Sequence, residues 1–83
     1  MDPIIGTIIL FAGNFEPQGW AFCNGEILEI SQNQALFTIL GTTYGGDGMK
    51  TFALPNLVAP QSNGETVPAH YIIAVQGIYP SRG

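Results

Sequence analysis

Cys23 and His70 are the one thiol and the one imidazole of the chain, and a thiolate held by an imidazole is the smallest set that can attack an acyl carbon. Their surroundings do not develop that chemistry. Cys23 stands directly before Asn24-Gly25 at the end of an apolar run, no Asn or Asp is placed to orient the imidazole, and a lone cysteine usually behaves as a small buried hydrophobe. Gly45-Gly-Asp-Gly48 has the glycine density of an anion or calcium loop. A phosphate loop needs Lys-Ser or Lys-Thr opening a helix, whereas Lys50-Thr51 leads into an extended apolar segment. A calcium loop needs carboxylates at alternate positions, and only Asp47 is there; it reads as a turn-former that bonds its own backbone. Glu26 and Glu29 are three apart in an extended run, so they point to opposite faces and cannot share acid/base work. No catalytic residue, metal ligand or cofactor is read from the chain.

The elements that would carry these residues are short. Ser31 and Gln34 have capping-box spacing, Ala35, Leu36, Phe37, Ile39 and Leu40 follow as an apolar helix, and Gly41 can stop it. Such a helix is held only by packing against something larger. Trp20 to Cys23 and Glu26 to Ile30 flank Asn24-Gly25, which favours a two-residue hairpin turn; Trp20 reads as a core or interface anchor. Lys50 to Leu54 reads as a short strand ended by Pro55, and Val58 to Pro68 as an exposed, mobile Pro/Gly loop. Ile4 to Phe11 and Tyr71 to Gln76 are apolar on both alternating faces, the pattern of strands covered on both sides.

A chain of 83 residues has little with which to cover such strands, and a domain this small has a marginal core of its own. A single cysteine excludes an internal disulfide, and no Cys/His cluster offers a structural zinc site. Oligomerisation is the remaining source of stabilisation. The charge supports this: Asp, Glu, Lys and Arg make up 10% of the chain against 46% hydrophobic residues, where roughly 25% charged is usual. With Lys50 and Arg82 as the only cations and a net charge of −4, binding to DNA or RNA is not expected. Met1-Asp-Pro-Ile-Ile-Gly6 has no basic n-region, and Ile4 to Ala12 is far short of the roughly 20 residues that span a bilayer. Synthesis in the cytoplasm without a signal peptide, and no membrane insertion, are therefore expected. Work outside a cell would then follow release by lysis or as part of a particle.

Gly19-Trp-Ala-Phe-Cys-Asn-Gly25, Tyr44-Gly-Gly-Asp-Gly48 and Leu54-Pro-Asn-Leu57, with Tyr71-Ile-Ile-Ala-Val-Gln-Gly-Ile-Tyr-Pro80 near the end, together resemble the phage tail-collar domain family, in particular its small members often labelled microcystin-dependent proteins. The resemblance implies a mostly β, α+β fold over residues 1–83 as one domain, with a hairpin, one short helix and a C-terminal strand, completed by trimerisation. It implies a structural module of a phage tail or a tail-derived contractile injection apparatus, working in a virion tail or an extracellular tail-like particle beside other tail or fibre proteins, and no enzyme. Ile5, Ile8, Leu10, Tyr71, Ile73 and Val75 are the expected oligomer interface, since they lie on the doubly apolar strands. Longer relatives continue past Leu-Pro-Asn-Leu with an Arg-Gly-Arg type segment and a long glycine- and histidine-rich insertion. Here Val58-Ala-Pro60 and Gln61 to Pro68 stand in their place. If the chain attaches to a host, the candidate receptor-contact loops are those holding Tyr44 and Asp47 and those holding Gln61 and Asn63. A cell-surface glycan or protein would be the partner in that alternative, with the aromatic side chains serving either as packing or as stacking surfaces for sugars.

Overall fold

The structure is a computed structural model, and it describes residues 2–58, 61–62, 65–66 and 69–81. Among these, the architecture is mostly β with one short helix. Strands β1 (Ile8–Phe11), β2 (Trp20–Phe22) and β7 (His70–Ala74) form an antiparallel sheet in the order β1-β7-β2. Strand β3 (Ile27–Glu29) pairs antiparallel with β4 (Thr51–Ala53), and β5 (Gln61–Ser62) with β6 (Glu65–Thr66). A 3₁₀ turn over Ile30–Gln32 leads into helix α1 (Gln34–Leu40).

The register of the main sheet places Ile8 opposite Ile73 and Ala21 opposite the same residue, while Ile9 and Phe22 both face Ile72. Cross-strand partners share a face, so Ile73 carries one face of the sheet into the core. There it meets Ile5, Cys23, Leu36, Phe52 and Leu54, with Ala21, Leu28, Phe37 and Tyr71 packed around them. The rings of Phe37 on α1 and Phe52 on β4 lie 5.4 Å apart, and Phe52 is fully buried.

Several sequence expectations change. The run Ile4 to Phe11 is not one strand: the chain turns at Ile5 and Gly6, where Gly6 has φ 91. Ile4 bridges Ile78 in parallel, and only Ile8–Phe11 pairs with β7. Asn24-Gly25 makes no two-residue hairpin, because β2 pairs with β7 and β3 with β4; Asn24 instead bridges Asn56. The capping box at Ser31 does not form. The 3₁₀ turn consumes Ser31, and Asn33 takes the N-cap position with no side-chain cap bond, its amide donating to the Glu29 carbonyl at 3.0 Å instead. Gly41 does end the helix, its N–H donating to the Phe37 carbonyl at 2.7 Å. The segment read as a Pro/Gly loop contains the β5–β6 ribbon.

Candidate functional site

Cys23 and His70 do line one cavity, of about 430 Å³, with Asn14, Phe22, Asn24, Asn56, Leu57 and Tyr71. They are not a nucleophilic pair. The thiol is 3% exposed, burial pushes its pKa up, and no hydrogen bond joins it to His70 among the described residues. A thiol nucleophile needs the opposite, a depressed pKa beside a base or cation. The His70 ring packs instead against Phe22, with centroids 5.1 Å apart and planes tilted by 54°. Glu26, directly before β3, and Glu29, its last residue, are both exposed, and among the described residues no group of three or more His, Cys, Asp or Glu side chains could hold a metal. No helix of the described residues is long and apolar enough to cross a membrane.

Asp47 is the hub of its loop. One carboxylate oxygen accepts from the backbone N–H groups of Met49 and Lys50 at 2.8 Å and of Thr51 at 3.0 Å, while the Asp47 N–H donates to the Thr51 hydroxyl at 3.1 Å. These donors, led by Lys50, hold the carboxyl at a pKa of about 2, below its ordinary value of 3.8, because a carboxylate fed by several N–H groups is favoured over its acid. The oxygen is occupied by its own backbone, as a turn-former requires. Tyr44, in the same glycine-rich loop, is exposed. Gln61 lies in β5, and Asn63 falls outside the described residues.

The expected interface residues divide into two groups. Ile5 and Ile73 are 8% and 0% exposed and belong to the core of the chain itself, where they meet Leu36 and Phe52. Tyr71 and Val75 are half-buried against the same core. Ile8 and Leu10 are 37% and 43% exposed, and Ile9 between them is 42% exposed, so β1 shows apolar side chains on both faces. Ile9 joins the expected residues of β1, its side chain alternating with those of Ile8 and Leu10.

A second apolar surface joins the two ends of the chain. Ile4 and Ile78 are both more than half exposed at their bridge. The Ile5 N–H donates to the Ile78 carbonyl at 2.9 Å, and the Ile78 N–H to the Pro3 carbonyl at 2.8 Å. Ile39 on α1 is 37% exposed, and its side chain abuts Gly6. At the preceding position on α1, the Thr38 hydroxyl lies 2.6 Å from the Tyr79 hydroxyl. Residues far apart in sequence thus build one greasy face that no local pattern announces. Trp20, expected as an anchor, is half-buried on β2 outside the main core cluster.

The described residues thus form a mostly β domain with exposed apolar side chains on β1 and where the two ends of the chain meet. The Phage Tail Collar Domain family model matches residues 6–59. The chain belongs to that family, a structural component of phage tails. No curated protein and no solved structure matches it.

Proposed function

We propose that the chain is a subunit of a homotrimeric collar, tip or fibre element in a phage tail or a tail-derived injection apparatus, with residues 1–83 acting as one domain. The observation that carries this reading is the exposure of Ile8, Ile9 and Leu10 on both faces of the edge strand β1. An edge strand presents unpaired backbone groups as well as side chains, and an apolar one left bare is an aggregation hazard. Sister copies, and neighbouring tail proteins at the ends of the element, remove that hazard by covering it. The low charge of the chain fits a surface that spends its working life covered.

Sedimentation equilibrium at micromolar concentration tests the assignment. A mass three times that of the 8.9 kDa chain is expected, and a stable, soluble monomer over the whole concentration range would overturn it. An adhesion role centred on the Tyr44 to Gly48 loop is less favoured by the geometry, since Asp47 is committed to its own backbone.

A further inference from the structure

The cavity between Asn14 and Leu57 brings three asparagine side chains together with aromatic rings. Its floor is Cys23 and Tyr71, and its rim carries the side chains of Asn14, Asn24 and Asn56, all exposed. None of these three amides makes a hydrogen bond with another described residue. Phe22 and His70 supply an aromatic wall. Among the described residues, neither Lys, Arg, Asp nor Glu lines it.

The backbone beneath these groups is fixed. The Cys23 N–H donates to the Tyr71 carbonyl at 2.9 Å, and the Leu57 N–H to the Cys23 carbonyl at 2.8 Å. The Asn24 to Asn56 bridge sets two of the amides on adjacent antiparallel segments. The third, Asn14, comes from the turn after β1, where Phe11 and Phe15 pack edge to face at 5.5 Å. Three amides from three separate segments therefore converge on one volume without relying on one another for support.

We infer that this cavity is a binding subsite for a neutral saccharide, held by the Asn14, Asn24 and Asn56 amides against the Phe22 and His70 rings. A primary amide offers donors and an acceptor together, which is what neighbouring sugar hydroxyls require, since each of those also donates and accepts. The ring face of Phe22 or His70 carries negative charge density that meets the C–H face of a pyranose. An apolar ligand is disfavoured, because it would strand the amides without partners on desolvation. An acidic ligand is disfavoured by the net charge of −4 and by a lining that holds neither Lys nor Arg among the described residues. The volume lies in the range of roughly 300–1,000 Å³ typical of small-molecule sites.

The test uses the assembled full-length chain with glucose, galactose, N-acetylglucosamine and their disaccharides as probes, followed by saturation-transfer and amide-shift NMR. At least one neutral probe is expected to bind saturably, moving the side-chain amide signals of Asn14, Asn24 and Asn56. Asn14→Ala and His70→Ala, both at exposed positions, should each weaken it by roughly 2- to 10-fold, the effect of one lost contact; sedimentation stays unchanged in both and melting stays unchanged in Asn14→Ala, while His70→Ala, which loses the ring contact with Phe22, melts somewhat lower. Asp47→Ala, remote from the cavity, should leave it unaltered. Absence of binding by every neutral probe, binding indifferent to both variants, or preference for sialic acid, a nucleoside or a short peptide would each overturn the assignment. Sedimentation of the same sample reports the trimer independently, so failure of the subsite and failure of the oligomer are distinguishable.

Discussion

At the scale of single residues, Asp47 shows how a carboxylate in a glycine-rich loop can be structural without being a ligand. Three backbone N–H groups converge on one oxygen, so the folded state prefers the ionised form and holds the pKa near 2. The pKa is depressed on folding, so the associated stability is fully present above the ordinary value of 3.8 and is lost as pH falls through about 2. The difference in melting temperature between the wild type and Asp47→Ala is therefore expected to be constant from neutral pH to about 4 and to shrink steadily below it. A difference that stayed flat down to pH 2 would place the stabilisation elsewhere than in the charge. Taking the difference between two proteins removes the contribution of the other carboxylates, which titrate alike in both. Gly46, next to Asp47, has φ 91, and a Cβ there would meet the Phe52 backbone and lie 2.7 Å from the Thr51 carbonyl oxygen. Gly46→Ala should therefore disrupt the same loop and the start of β4 together, which loss of amide protection at Met49 to Thr51 would report.

At the scale of elements, the core is narrow. It hangs on the contact of α1 and β4 with one face of the main sheet, centred on Phe52. Phe52→Ala removes a fully buried ring and should cost about 3–5 kcal/mol. A domain of 83 residues has only roughly 4–12 kcal/mol in all, so urea melts should show a strongly lowered midpoint for the variant. Phe15→Ala, at a ring 60% exposed, should cost only about 0.5–1.5 kcal/mol through its edge contact with Phe11. The elements legible in the sequence were those specified locally: α1 with its stop at Gly41, β4 before Pro55, and β7 as a β-branched run. Those misread were set by partners far along the chain. Asn24-Gly25 has the chemistry of a tight hairpin turn, but the strand before it is claimed by β7 and the one after it by β4, so the turn residues become a crossing between two sheets. Ser31 lost its capping role for a subtler reason: the Ile30 N–H donates to the Lys50 carbonyl at 2.9 Å, a long-range bond that tightens residues 30–32 into a 3₁₀ turn and hands the N-cap to Asn33. The cavity rimmed by Asn14, Asn24 and Asn56 was invisible for the same reason, since three isolated asparagines in sequence carry no spacing signal.

At the scale of the whole molecule, the two doubly apolar runs have different fates. The central strand β7 is sheltered by the chain itself, flanked by β1 and β2 and packed on the core, with Ile72, Ile73 and Ala74 almost wholly buried. The edge strand β1 is not, and it carries the whole argument for partners. This separates two outcomes for a charge placed there. In an isolated chain, Ile9→Lys and Leu10→Lys would put an ammonium at a position already about two-fifths exposed, and such a change should move stability by no more than about 0.5 kcal/mol. In an oligomer that covers β1, each copy would bury that charge without a counterion at every interface, and a desolvated, unpaired charge is among the most costly of substitutions. The expected result is that either variant sediments as a monomer and melts well below the wild type. The wild-type melting temperature should also rise with protein concentration, as association linked to folding requires. Ile39→Lys, on the second apolar face formed with Ile4, Ile78 and Tyr79, asks whether that face belongs to the same contact. Dissociation by the β1 variants alone would assign sister copies to β1 and leave the face at the chain ends for another tail protein, whereas dissociation by all three would join both surfaces into one continuous interface.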